Sequence, residues 1–273
     1  MLLSNNFFTF DSCQLHYVKA GHGPKAILVF HGFGQNHQTF EKLVGFVPEE
    51  YTIYNFDIFF HGESKWNKGE QLLTKEFWKE LWTAFLNQEK IDRYSLIGFS
   101  MGGKFALASY KVTPTRVDHV ILLAADGIQK NFWYAFATSS SLIRKLFKSM
   151  ILHPGRFHRI SKLIHKIGLI DNSLLRFVES QMNTEAKRNQ VYHSWIVFRT
   201  LAFDVKLLAQ TLNLNQTEVF CITGKFDRMI PPHFMNKLTK RLHQFRHDTL
   251  DVGHTTLIEQ SLPRIGNYLG KKP

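Results

Sequence analysis

Five short apolar runs recur along the chain: "AILVF" (26–30), "YTIYNFD" (51–57), "YSLIGFS" (94–100), "VDHVILLAA" (117–125) and "EVFCITG" (218–224). Runs this short and this apolar suit strands that are buried on both faces. Between them lie segments of helical length and pattern, such as "EFWKELWTAFLN" (76–87) and "GGKFALASYKV" (102–112). Apolar strands alternating with helices predict an α/β chain with a mostly parallel central sheet flanked by helices. Two strand-like runs come first, "FFTF" and "QLHYVKA", split by the hairpin signal Asp11-Ser12. "HDTLDVGH" (247–254) reads as a last short strand, and "TTLIEQSLPRIGNYLG" as a closing helix interrupted near Pro263.

The alternation lapses between about Asp126 and Leu201. "SLIRKLFKSMIL" has apolar residues at 142, 143, 146, 147, 150 and 151, which is helical spacing. Pro154-Gly155 reads as a break, and the next segment puts Phe157, Ile160, Ile164 and Ile167 on one face. The expected organisation is core at 1–125, an inserted helical cap at 126–205, and core again at 206–273.

The chain has 273 residues and is 44% hydrophobic, enough for a sizeable core and too apolar for disorder. Two cysteines, Cys13 and Cys221, give no disulfide framework and fit a reducing compartment. The N-terminus shows no basic region followed by a long apolar stretch. No run of about eighteen apolar residues suggests a transmembrane segment, so the expected location is cytoplasmic. The net charge of +12 favours anionic partners, but no nucleic-acid motif accompanies it. The region 126–205 holds twelve Lys and Arg against five Asp and Glu, more than half of the excess. That basic face suits a solvated surface, or else an anionic or lipid-like acyl substrate.

Gly98-Phe99-Ser100-Met101-Gly102 sits where a strand must turn sharply into a helix. This G-x-S-x-G pattern holds a serine hydroxyl above the sheet, with glycines where side chains would collide. The helix that follows aims its N-terminus, and the Met101 N–H, at an oxyanion formed on Ser100. A serine needs a base, and the base needs an orienting acid. "CITGKFDRMIPP" delivers Asp227 beyond a strand, and "LDVGHTTL" delivers His254 beyond the next one. Asp126, after the strand at 117–125, is the alternative acid. "VFHGFGQN" (29–36) supplies a loop whose Phe33 N–H, with Gly34 second, can join the oxyanion site, while His31 braces the loop. The pairs His243/His247 and His158/His165 lack the accompanying ligand spacing of a metal site. No metal and no cofactor are expected.

These residues resemble the α/β-hydrolase fold family of serine esterases and lipases. The likeness rests on His31-Gly32-Phe33-Gly34, "DIFFHGES" where relatives carry D-x-x-G-x-G-x-S, Gly98 to Gly103, "GKFDRMIPP" and Gly253-His254. The resemblance implies a Ser100–Asp227–His254 triad in the family's chain order, an acyl-serine intermediate and a small-molecule ester or acyl substrate. One departure is Phe59-Phe60, where relatives have small or charged residues. C–C bond hydrolysis or cofactor-free haloperoxidase chemistry on the same triad stays open, as does a non-catalytic binding protein of the same fold. Natural substrate and oligomeric state are not legible in the chain.

Overall fold

The computed structural model describes residues 3–129, 132–166 and 172–270. The chain divides into two compact units, 1–69, 74–129 and 201–273 in the first, 70–73 and 130–200 in the second.

The first unit is built on one sheet. Its strands are β1 (Leu3–Phe10), β2 (Cys13–Ala20), β3 (Lys25–Phe30), β4 (Tyr51–Phe56), β5 (Tyr94–Phe99), β6 (Val117–Leu123), β7 (Glu218–Gly224) and β8 (Phe245–Leu250). The spatial order is β1-β2-β4-β3-β5-β6-β7-β8. β1 and β2 pair antiparallel, as do β2 and β4, and every later pair is parallel. Asp11 and Ser12 turn the first hairpin with φ of 42° and 64°, the left-handed pair that a tight two-residue turn needs. The helices of this unit are α1 (Lys75–Gln88) and α2 (Gly102–Val112) before the second unit. The second unit contributes α3 (Phe132–Thr138), α4 (Ser141–Leu152), α5 (Pro154–Lys166), α6 (Asn172–Met182) and α7 (Glu185–Val197). The first unit resumes with α8 (Val205–Leu214), α9 (Asn236–Thr239) and α10 (Leu257–Leu269).

Both faces of the sheet are covered, which is why the central strands lack polar alternation. On one face Phe30 and Phe56 stack at 5.2 Å, and Phe30 meets Trp82 of α1 at 5.6 Å. Trp78, Trp82 and Phe85 of α1 are all buried there, together with Phe105 of α2. On the other face Ile27, Val29, Ile97 and Ile121 pack with Leu257, Leu262 and Ile265 of α10. Neighbouring residues of β3 thus point to opposite cores, as the strand period of two requires.

Three elements differ from the sequence expectation. β8 runs over Phe245–Leu250 and not 247–254, because an edge strand with half-exposed polar residues has no apolar run to mark its ends. α10 passes through Pro263 without interruption, its face of Ile258, Leu262, Ile265 and Leu269 being buried on both sides of the proline. α5 starts at Pro154, where a missing N–H costs no helical hydrogen bond. In the second unit α4 buries Phe147 and Ile151, yet leaves Leu142 and Leu146 in solvent, so its apolar positions do not form one covered stripe. Of the four positions expected to share a face on α5, Phe157 is half-buried and Ile160 exposed, while the Ile164 side chain and Ile167 lie outside the described residues.

Candidate active site

Ser100 stands between β5 and α2 with φ of 50°, in the left-handed region. The turn brings backbone into contact with backbone, and this excludes side chains on three neighbours. A Cβ on Gly98 would lie 2.7 Å from the Gly102 carbonyl oxygen. One on Gly102 would lie 2.1 Å from the Phe30 carbonyl oxygen, and one on Gly103 would lie 2.4 Å from Ala125 Cβ. The backbone groups of Ser100 itself are hydrogen-bonded: its N–H donates to Leu123 O, and its carbonyl accepts from Gly103 and Asp126 N–H, all at 2.9 Å.

Asp227 follows β7 and is buried. Its Oδ1 accepts the N–H groups of Met229 and Ile230 at 2.8 and 2.9 Å. Its Oδ2 lies 2.6 Å from His254 Nδ1, and His254 Nε2 lies 3.0 Å from Ser100 Oγ. An ionised carboxylate only accepts, so Nδ1 carries the ring proton and Nε2 offers its lone pair to the serine hydroxyl. The imidazole also rests against Phe99, with ring centroids 4.8 Å apart. Asp126, the alternative acid, is engaged elsewhere: its carboxylate lies 2.8 Å from Lys104 Nζ and accepts the Gly127 N–H at 2.7 Å.

The loop after β3 carries His31, Phe33 and Gly34. His31 is buried, accepts the Ile58 N–H on Nε2 at 3.1 Å and therefore donates from Nδ1 to Gly32 O at 2.7 Å. Burial pushes its pKa down to about 4, which keeps the ring neutral in this bracing role. The Phe33 and Met101 N–H groups donate to no partner among the described residues.

Sequence reasoning missed a second polar cluster beside this loop. The Asp57 carboxylate accepts the backbone N–H of His37 at 2.6 Å and of Glu63 at 2.9 Å. His16 Nδ1 lies 2.7 Å from it and His37 Nδ1 3.1 Å from it. Burial alone would raise the Asp57 carboxyl, but these donors outweigh it and hold the group below the usual carboxylate range. Gly62, with φ of 53°, passes so close that a Cβ would fall 1.9 Å from Asp57 Oδ2. Asp57 heads the "DIFFHGES" turn, but His16 and His37 are 41 and 20 positions away, so only the fold joins them. The three side chains place ligand atoms within 4.8 Å of one another. A tetrahedral zinc ion would need its ligand atoms roughly 3.3 Å apart, whereas His16 and Asp57 hold each other at 2.7 Å. The arrangement is that of a hydrogen-bonded lock.

The departure at Phe59-Phe60 is visible here too. Phe59 is fully buried, and Phe60 takes φ of 68°, a left-handed conformation uncommon for a bulky side chain. Among the described residues no helix is long and apolar enough to cross a membrane.

Comparison with known proteins places these features in a family. The sequence model of the alpha/beta hydrolase fold matches residues 25–261. "Putative esterase/lipase 2" of Mycoplasma genitalium is 30% identical over 125 residues, 45% of this chain and 46% of that one, so the likeness spans under half of that relative. Pyrrolizixenacetamide deacetylase of Xenorhabdus hominickii is 25% identical over 254 residues, 90% of each chain. Among solved structures, a thermophilic esterase from Thermogutta terrifontis superposes with a TM-score of 0.67 at 18% identity, covering 98% of this chain and 97% of that one. The chain belongs to the α/β-hydrolase fold family.

Proposed function

We propose that the protein is a serine hydrolase that cleaves a carboxylic ester, or a related acyl bond, through an acyl-serine intermediate. The observation that carries this reading is the unbroken relay from Asp227 Oδ2 to His254 at 2.6 Å and from His254 to Ser100 Oγ at 3.0 Å. As Ser100 Oγ bonds to the acyl carbon, its proton passes to His254 Nε2, and Asp227 holds the imidazolium that forms. The carbonyl oxygen becomes an oxyanion, which the Phe33 and Met101 N–H groups stabilise. Collapse breaks the bond to the alcohol, which leaves with the proton from Nε2. Water then attacks the acyl-serine, gives a proton to Nε2 and releases the acid. Every step uses groups of this chain and water.

The names of relatives support the reaction class, an esterase/lipase for oxygen esters and a deacetylase for an amide. The insertion at 126–205, which contains helices α3 to α7, is the proposed cap. Both cysteines are free and buried, which supports the reducing, cytoplasmic setting.

Purified protein is treated with a fluorophosphonate probe and then with p-nitrophenyl esters of graded acyl length and an acetanilide. The expected result is labelling and ester turnover in the parent and neither in Ser100→Ala, with unchanged circular dichroism. Unlabelled parent protein would favour a non-catalytic member of the fold. Labelling that survives Ser100→Ala would move the nucleophile elsewhere. Turnover of a vinylogous diketone in place of esters would favour C–C bond hydrolysis.

A further inference from the structure

The 26 residues Ser141–Lys166 hold seven Lys and Arg and no Asp or Glu. They form α4 and α5, an αα-hairpin joined through His153, whose helices pack on one another. Its outer surface is both basic and apolar. Leu142, Leu146, Leu152 and Leu163 are 74%, 48%, 63% and 60% exposed. Leu142 and Leu146 are four apart, and so share a face of α4. Lys145, Lys162 and Lys166 are exposed beside these leucines and make no ion pair among the described residues. Glu70 neutralises Lys148 at 2.6 Å, but the hairpin carries no acidic residue of its own. Single exposed leucines are ordinary; four on two adjoining helices this rich in cations are not.

We propose that the α4–α5 hairpin is a docking surface for an anionic lipid bilayer. Leucines enter the headgroup boundary, and the lysines beside them meet lipid phosphates. The charge argues for this occupant over a second copy of the chain, because a symmetric pairing through this face would set cations against cations. A nucleic acid would satisfy the lysines but leave the leucines in water. Docking at a bilayer would supply the proposed hydrolase with lipid-borne acyl esters. That consequence rests on the hydrolase reading, whereas docking itself does not.

The test measures partitioning of the full chain, as Ser100→Ala, onto phosphatidylcholine vesicles with and without phosphatidylglycerol. Using Ser100→Ala makes the result independent of turnover. Each lysine near an anionic surface contributes about fivefold to partitioning, so Lys145→Gln, Lys162→Gln and Lys166→Gln together are expected to lower it by about a hundredfold. Leu142→Ser, Leu146→Ser and Leu163→Ser together are expected to lower it by about tenfold or more. In the Ser100-containing chain neither triple variant should change kcat/KM for p-nitrophenyl acetate, which needs no bilayer. Equal partitioning onto both vesicle types would overturn the proposal. So would binding to duplex DNA that matches vesicle binding and ignores the leucine changes. A dimer in sedimentation that the leucine changes dissociate would assign the face to a second copy instead.

Discussion

Asp57→Asn is a nearly isosteric change whose cost the hydrogen bonds predict. The carboxylate accepts four donors in a fully buried place: two backbone N–H groups, from His37 and Glu63, and two imidazoles, from His16 and His37. An asparagine offers one accepting oxygen and one NH2. If the oxygen keeps the His37 N–H, the NH2 meets the Glu63 N–H across 2.9 Å, donor against donor. His16 can accept from the NH2 only by moving its proton to Nε2, which is buried without a partner. One buried donor left unmade costs about 1–3 kcal/mol, and a charge-assisted bond reduced to a neutral one costs about 1 kcal/mol more. The expected loss is about 2–4 kcal/mol, read from urea unfolding at neutral pH. The depressed Asp57 carboxyl sets the sign of the pH effect. Its stabilisation is complete above the unfolded value of about 3.9 and is lost as pH falls through the lower folded value, so parent and variant should converge in acid. Because His37 closes the loop that carries Phe33, kcat should fall more than KM rises. A loss below about 0.5 kcal/mol with an unchanged m-value would refute the lock.

Three further outcomes follow from the same structure. Asp227→Asn should lower kcat by about three to four orders of magnitude, whereas Asp126→Asn should cost less than about tenfold in ester turnover; the reverse order would reassign the acid. Gly102→Ala should lower stability by about 1–3 kcal/mol in thermal unfolding, since its Cβ meets the Phe30 and His31 carbonyl oxygens at 2.1 and 2.6 Å, while Gly45→Ala, with nothing within 4 Å, should be near neutral. Burial lowers the His31 pKa to about 4 and the His61 pKa to about 3, so the unfolded chain binds protons that the folded one refuses as pH falls below about 6.5; going from pH 7 to pH 5 should cost about 2 kcal/mol for each ring, and a urea midpoint that stays flat over this window would contradict their neutral burial.

The sheet was legible because strands buried on both faces cannot disguise their composition, and β3 to β7 all announce themselves as apolar runs. Ser100, Asp227 and His254 stood out as candidates for a related reason. Each follows a strand, and ligand-binding groups of an open parallel sheet gather beyond the strands' carboxyl ends. Edge and surface elements were harder. β8 has no apolar run, and α10 absorbs Pro263 because two turns of buried leucine and isoleucine outweigh one missing hydrogen bond. The Asp57 lock was hidden because hydrogen bonds between residues 20 and 41 apart leave no periodic trace. What signal existed was a histidine inside the run Leu15–Val18 of "QLHYVKA", between apolar neighbours, which asked for a buried partner.

The elbow glycines and the proposed oxyanion loop form one mechanical unit. Gly102, the first residue of α2, touches the carbonyl oxygens of Phe30 and His31, the residues from which the loop bearing Phe33 departs. The start of α2 therefore rests directly on the end of β3. Met101 N–H belongs to that start, and Phe33 N–H to that loop. The separation between the two proposed oxyanion donors is thus set by how closely α2 can approach β3, and a hydrogen on Gly102 sets the closest distance. Any side chain there must push the helix outward and draw the two donors apart. Donors act on an oxyanion only within about 2.7–3.1 Å, so a shift of even half an ångström weakens one of them. Gly102→Ala should consequently lose about tenfold or more in kcat at temperatures where it is fully folded. Loss of stability with full kcat would mean that the helix and loop move together, and that the contact at Gly102 serves packing alone.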